Sequence, residues 1–198
     1  MQLHNSYLFY FSIYLQTPAP EHWPGALTVL YQLVKNYEYK KKDDRAPLND
    51  AMNLLLPQIQ DIARNSINDQ RQEIAMVRKI ILKIYFAMTQ YVLPLNSLLT
   101  REVFTNWMEI LRLILEQDIP QEVQADVEND DKPQLIWWKE KKWAMHILTR
   151  FFERYGSPGN VASEYKDFAE WYLKTFSHGI LTTIFKILDA YRRGRQLT

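Results

Sequence analysis

Apolar residues recur along this chain at steps of three and four, the period of a helix that buries one face. The clearest case runs from Trp137 to Tyr155. There Trp137, Ala144, Ile147, Leu148, Phe151 and Tyr155 share a face, with no proline or glycine between them. Lys139, Lys142, His146 and Arg150 recur on another face and give the same helix a basic stripe. Gly156 is predicted to end it in a left-handed cap, and Pro158 prevents continuation.

Upstream, Trp23-Pro24-Gly25 opens a pattern in which Leu27, Leu30, Tyr31, Val34 and Tyr37 share a face. Pro47 suits a first helical turn, and Met52, Leu55, Leu56, Ile59 and Ile62 carry the next apolar stripe. Pro57 lies inside that stripe, lacks a backbone donor, and predicts a kink. Ile74, Val77, Ile81, Ile84, Tyr85 and Met88 mark another helix, which stops at Leu93-Pro94. Asn96 or Ser97 is the predicted cap of the one after it. In that helix Val103, Phe104, Trp107, Met108, Leu111, Ile114 and Leu115 cover more than one face, as expected of a helix sandwiched between neighbours. Near the end, Ser163 is a predicted cap, Tyr165, Phe168, Tyr172 and Phe176 line one face, and Ser177-His178-Gly179 predicts a break or kink before Ile180, Ile184, Ile187 and Tyr191.

No segment sustains the alternation of a strand. Helical patterns open near Ala26 and Gln72, about 46 residues apart, which suits stacked antiparallel helix pairs of roughly 40 to 47 residues. The predicted fold is therefore all-α, a HEAT-repeat-like helical solenoid (α-α superhelix) over residues 21–198, behind a divergent or disordered amino terminus at 1–20. Neither end carries the polar outer face of a solenoid cap, so an interior piece of a longer array is expected.

One stretch breaks the rhythm. Residues 116–131, EQDIPQEVQADVENDD, hold seven acids and no Lys or Arg, and predict an exposed acidic loop spanning 116–135. The chain as a whole is 47% hydrophobic and 24% charged with a formal net charge of +1, so global charge points to neither nucleic acid nor a membrane surface. Local charge is the signal. The absence of cysteine excludes disulfides, thiolate catalysis and cysteine-held metal. The aromatic run from Tyr7 to Leu15 lacks a cationic flank and is too short to span a bilayer, and no later segment reaches about 18 consecutive apolar residues. His4, His22, His146 and His178 are scattered, and the acids of a solvated loop lack the pocket that general acid–base work requires. No enzyme, cofactor or metal is expected.

The run WWKEKKW interleaves aromatics with lysines in a way that could stack on bases and pair with phosphates. Its helical phase favours buried Trp and solvated Lys instead. Asp130 and Asp131 could satisfy the amino terminus of the helix that follows. Seven acids exceed that need, and an exposed acidic loop attracts basic partners by long-range steering.

Several long strings, YLQ at 14–16, LYQLVKNYEYKK at 30–41, the Asp-Asp-Lys-Pro-Gln-Leu-Ile-Trp-Trp-Lys run at 130–139, KKWAMHIL at 141–148 and FERYGSPGN at 152–160, closely resemble the importin-β superfamily (karyopherins), specifically its importin seven and importin eight subgroup. The resemblance runs from about Tyr14 to about Tyr191. Residues 1–13 do not share it, and Glu140 stands where the family pattern has Cys. The resemblance implies a HEAT superhelix that shuttles between nucleus and cytoplasm, passes the pore by contact with nucleoporins, carries basic cargo proteins and releases them on binding Ran-GTP. It also implies a partner-binding role for the acidic loop, at Glu122, Asp126, Glu128, Asp130 and Asp131 as a group. Membrane insertion and nucleic-acid binding are not expected. The alternative is a HEAT scaffold or RNA-associated adaptor without Ran binding, touching its partner through Trp137, Trp138 and Lys139.

Overall fold

The computed structural model describes residues 13, 15, 22–37, 40–41, 43–90, 93–125 and 131–196, with side chains 124, 133 and 190–196 set aside. Among the described residues there is no strand, and seven α-helices carry the fold: α1 (Trp23–Asn36), α2 (Ala46–Asn65), α3 (Gln72–Met88), α4 (Arg101–Glu116), the short α5 (Gln121–Ala125), α6 (Ile136–Tyr155) and α7 (Lys166–Gln196). The solenoid reading is met. The long helices alternate between two layers: α3 lies between α1 and α6 in one, while α4 lies between α2 and α7 in the other. In the first layer helices begin at Trp23, Gln72 and Ile136, so the acidic connection lengthens what would otherwise be an even period.

One contiguous core runs between the layers. The prediction that the helix after Pro94 is sandwiched holds, since Phe104, Trp107, Ile110, Leu111 and Ile114 of α4 are all buried. Tyr85 stacks on Trp107 with ring centroids 3.9 Å apart, and Phe104 meets Phe151 at 4.8 Å and Phe168 at 5.1 Å. Aromatic pairs of this kind add to the area they bury. Leu15 reaches the same core, and the rest of the predicted disordered amino terminus, save Ile13, lies outside the described residues.

The structure corrects several local expectations. Neither Asn96 nor Ser97 caps α4; its N-cap is Thr100, whose hydroxyl accepts from the Val103 amide at 3.3 Å. Leu98 and Leu99 are buried and fold back through the Leu99 amide onto the Pro94 carbonyl, which delays the helix start. Ser163 opens a short 3-10 turn rather than capping α7. Ser177-His178-Gly179 causes no break, because α7 runs unbroken from Lys166 to Gln196. Gly179 faces the space between α4 and α7, and the apolar positions on either side of it keep the helix packed. Through Pro57, where a kink is expected, α2 runs as one helix from Ala46 to Asn65, with Leu55, Leu56 and Ile59 buried around the proline.

Gly156 caps α6 without a left-handed conformation, at φ −73° and ψ −6°. Its amide donates to the Phe152 carbonyl at 2.7 Å, and a Cβ at this position would collide with that same oxygen. Close approach, not backbone sign, makes glycine fit here. On α7, Leu181, Phe185 and Leu188 are 54%, 67% and 57% exposed and form an apolar outer face.

Candidate partner-binding site

The acidic connection leaves α4 at Glu116 and returns to the core at α6. Its departure is fixed by polar contacts. Gln117 donates through Nε2 to the Ile67 carbonyl at 2.7 Å, and the Lys141 ammonium donates to the Leu115 carbonyl at 2.6 Å and to that of Gln117. These are the free carbonyls of a helix end, which a cation satisfies well. Burial lowers the Lys141 pKa, partly offset by Asp118 and Glu140. Lys141 is therefore a structural group, not a solvated member of the WWKEKKW run.

A second, smaller apolar cluster holds the connection against the helices. Ile119 and Trp137 are buried with Ala75, and Val123, Leu135 and Trp138 pack around them. Trp137 thus anchors the acidic segment and offers no ring for a base. Trp138 and Lys139 are half-buried.

Glu116 is not part of the open acidic surface. Its carboxylate accepts from Arg112 at 2.6 Å and from the Thr183 hydroxyl at 3.0 Å, and lies 3.4 Å from the Lys186 ammonium. Burial pushes this carboxyl up, but Thr183, Arg112 and Lys186 outweigh it and leave its pKa below the usual value. Of the five predicted contact residues, Glu122 on α5 and Asp131 are both exposed. Asp126, Glu128 and Asp130 lie outside the described residues. Asp131 does not cap α6: that helix has Leu135 at its N-cap, no acid in its first turn, and no side-chain cap hydrogen bond at Asp131 itself.

The basic stripe of α6 divides on inspection. His146 is exposed against the rings of Phe86 and Trp143. Arg150 turns inward to Gln90 Oε1 at 2.6 Å and covers the Phe86 ring, whereas Lys142 is exposed and Lys139 half-buried. Sequence reading missed Glu140, which is buried and paired with a buried Arg78 at 2.6 Å. It also missed that Lys79 and Lys83, four apart on α3, join Lys139 on one face. Among the described residues no cluster of His, Asp and Glu could hold a metal ion, and no helix is long and apolar enough to cross a membrane.

Comparison with known proteins adds lineage. Mouse (Mus musculus) importin-8 is 49% identical over 180 residues, which are 91% of this chain and 18% of that protein. Zebrafish (Danio rerio) importin-8 is 42% identical over 198 aligned positions, 94% of this chain and 19% of that protein. The importin beta-like SAD2 homolog of Arabidopsis thaliana is 31% identical over 196 positions, 90% of this chain and 19% of that protein. The chain thus spans less than a fifth of the length of these curated relatives. No protein-family model and no solved structure matches it.

Proposed function

We propose, since the chain belongs to the importin-β family, that it acts as a segment of a nuclear transport receptor by binding alone. In this reading the acidic connection between α4 and α6 holds basic cargo, Ran-GTP competes for the same state of the receptor, and contacts with nucleoporins let it shuttle between cytoplasm and nucleus. The observation that carries the proposal is how the connection is built. Ile119 and Trp137 clamp it to the core, the Lys141 ammonium fixes its departure, and Glu122 and Asp131 stay exposed beyond the anchor. A fixed base under an acidic segment keeps carboxylates concentrated at one point of the surface, where they steer a basic partner over about one Debye length, roughly 8–10 Å at physiological salt.

Of Trp137, Trp138 and Lys139, through which an RNA-associated adaptor would touch its partner, Trp137 is buried, which tells against that alternative. The test is a comparison of the chain's affinity for Ran-GTP and Ran-GDP, with a basic ribosomal protein as competitor. Preference for the GTP form, and mutual displacement of Ran and the basic protein, supports a receptor segment. Equal affinity for the two nucleotide forms without competition contradicts it.

A further inference from the structure

The outward faces of α1, α3 and α6 carry a charged surface opposite in sign to the acidic connection. Lys79 and Lys83 lie one turn apart on α3, Lys139 and Lys142 on α6, and Lys35 on α1. The Lys83 ammonium bridges the three helices, 4.3 Å from the Tyr31 ring centroid and 5.8 Å from that of Trp143. Burial, and then the nearby charges of Lys83 and Lys139, hold the Lys79 pKa below the ordinary lysine value. Ion pairs among the described residues engage Arg71, Arg78, Arg112 and Lys186, and none of these five lysines. The acids of α3 and α6 stand apart from the lysine cluster: Glu73 in the first turn of α3, Glu140 buried on Arg78, and Glu153 in the last turn of α6. Like charges gathered together, none of them ion-paired to a carboxylate among the described residues, mark a surface that is complemented from outside.

We propose that this face docks an acidic polypeptide segment, a run of Asp and Glu presented by a partner protein. Polyanionic nucleic acid would also meet the charge, and the aromatic rings decide between the two. Binding of single strands rests on open ring faces on which bases stack. Here Lys83 sits over Tyr31, Arg150 covers Phe86 at 4.6 Å, and Trp143 is flanked edgewise by Phe86 and His146. The rings are already occupied by cations and by one another. What remains available is a set of ammonium groups, which suit carboxylates presented along an extended chain. The lysine reversals and the neutralisation of the acidic connection change different residues, so the two proposals fail separately.

The experiment uses the 198-residue chain and two labelled probes, an Asp/Glu peptide and an oligouridylate, each about 15 units long and matched in charge, in a salt series from about 0.05 to 0.3 M. Lys79, Lys83, Lys139 and Lys142 are reversed together to Glu, and Lys139→Glu with Lys142→Glu is made as a milder pair on the surface of α6. A parallel set replaces all four by Arg, and circular dichroism checks that every variant is folded. The expected result is peptide binding that weakens with salt, falls by about tenfold or more on reversal, stays within about threefold with Arg, and is unchanged by Glu122→Gln with Asp131→Asn. Peptide binding that survives both reversals, tighter binding of the oligouridylate than of the peptide, or no binding of the peptide at low salt would each overturn the proposal.

Discussion

Replacing Glu140 by alanine strips a fully buried guanidinium of its counter-charge. Arg78 is 0% and Glu140 2% exposed, with Nε donating to Oε1 at 2.6 Å and Nη2 to Oε2 at 3.3 Å. Nη1 donates to the carbonyls of Ser66 and Asp69, so the one side chain ties α3 to α6 and closes the turn between α2 and α3. Removing one partner of such a pair leaves an uncompensated buried charge, a loss of about 3–5 kcal/mol, or roughly 6–20 °C in Tm for a chain of this size. Replacing both by apolar residues, as in Arg78→Met with Glu140→Leu, removes the stranded charge and recovers most of that loss. The assay is urea unfolding of the wild type, both single variants and the double variant, read as a double-mutant cycle. Single variants that each lose under about 1 kcal/mol, or a double variant as weak as the sum of the singles, would refute the reasoning. There is also a pH signature. Burial pushes the Glu140 carboxyl up while Arg78 pulls it down, so Arg78→Met raises its folded pKa further. A carboxyl whose folded pKa lies above its unfolded value destabilises the protein at higher pH, and the penalty fades as pH falls through the raised pKa toward the ordinary carboxylate range. The deficit of Arg78→Met is therefore expected to shrink on acidification.

Trp137→Ala should lose about 3–5 kcal/mol and release the acidic connection, seen as faster amide exchange over residues 117–125. Lys141→Met leaves the Leu115 and Gln117 carbonyls without their donor and should lose about 1–3 kcal/mol by urea unfolding, with unchanged helix content. Gly156→Ala should lose about 1 kcal/mol through its clash with the Phe152 carbonyl, even though the backbone angles there are ordinary for any residue. The apolar outer face of α7 should bind a hydrophobic dye, and Phe185→Glu with Leu188→Glu should reduce that fluorescence without shifting the unfolding midpoint by more than about 0.5 kcal/mol.

The helices and their buried faces were legible because apolar residues repeat at helical spacing and because the acidic stretch lacks any such repeat. The ends were not. Thr100, rather than Asn96 or Ser97, caps α4 because Leu98 and Leu99 are drawn into the core, a tertiary demand that capping preference does not encode. α7 crosses Ser177-His178-Gly179 because Phe176 and Ile180 on either side of it, partly buried, pack against the core, which outweighs the weak helix propensity of a single glycine. At the candidate site the concentration of acids is plain in the sequence, but the removal of Glu116 from it depends on Thr183 and Lys186, far along the chain. Glu140 shows the same limit. Between Lys139 and Lys141 it reads as one charge in a solvated run, and only the packing of α3 against α6 reveals it as half of a buried pair with Arg78. The lysine face was hidden for a like reason, since it is assembled from three helices that no local pattern joins.

The most direct measurement is the affinity of the chain for a basic ribosomal protein across a salt series, with Glu122, Asp126, Glu128, Asp130 and Asp131 neutralised to Gln or Asn in parallel. Binding that weakens as salt rises from about 0.05 to 0.3 M, and falls by about tenfold or more on neutralisation, is the result predicted for a receptor segment that holds cargo through its acidic connection. Binding of equal strength in the folded, neutralised chain would contradict it.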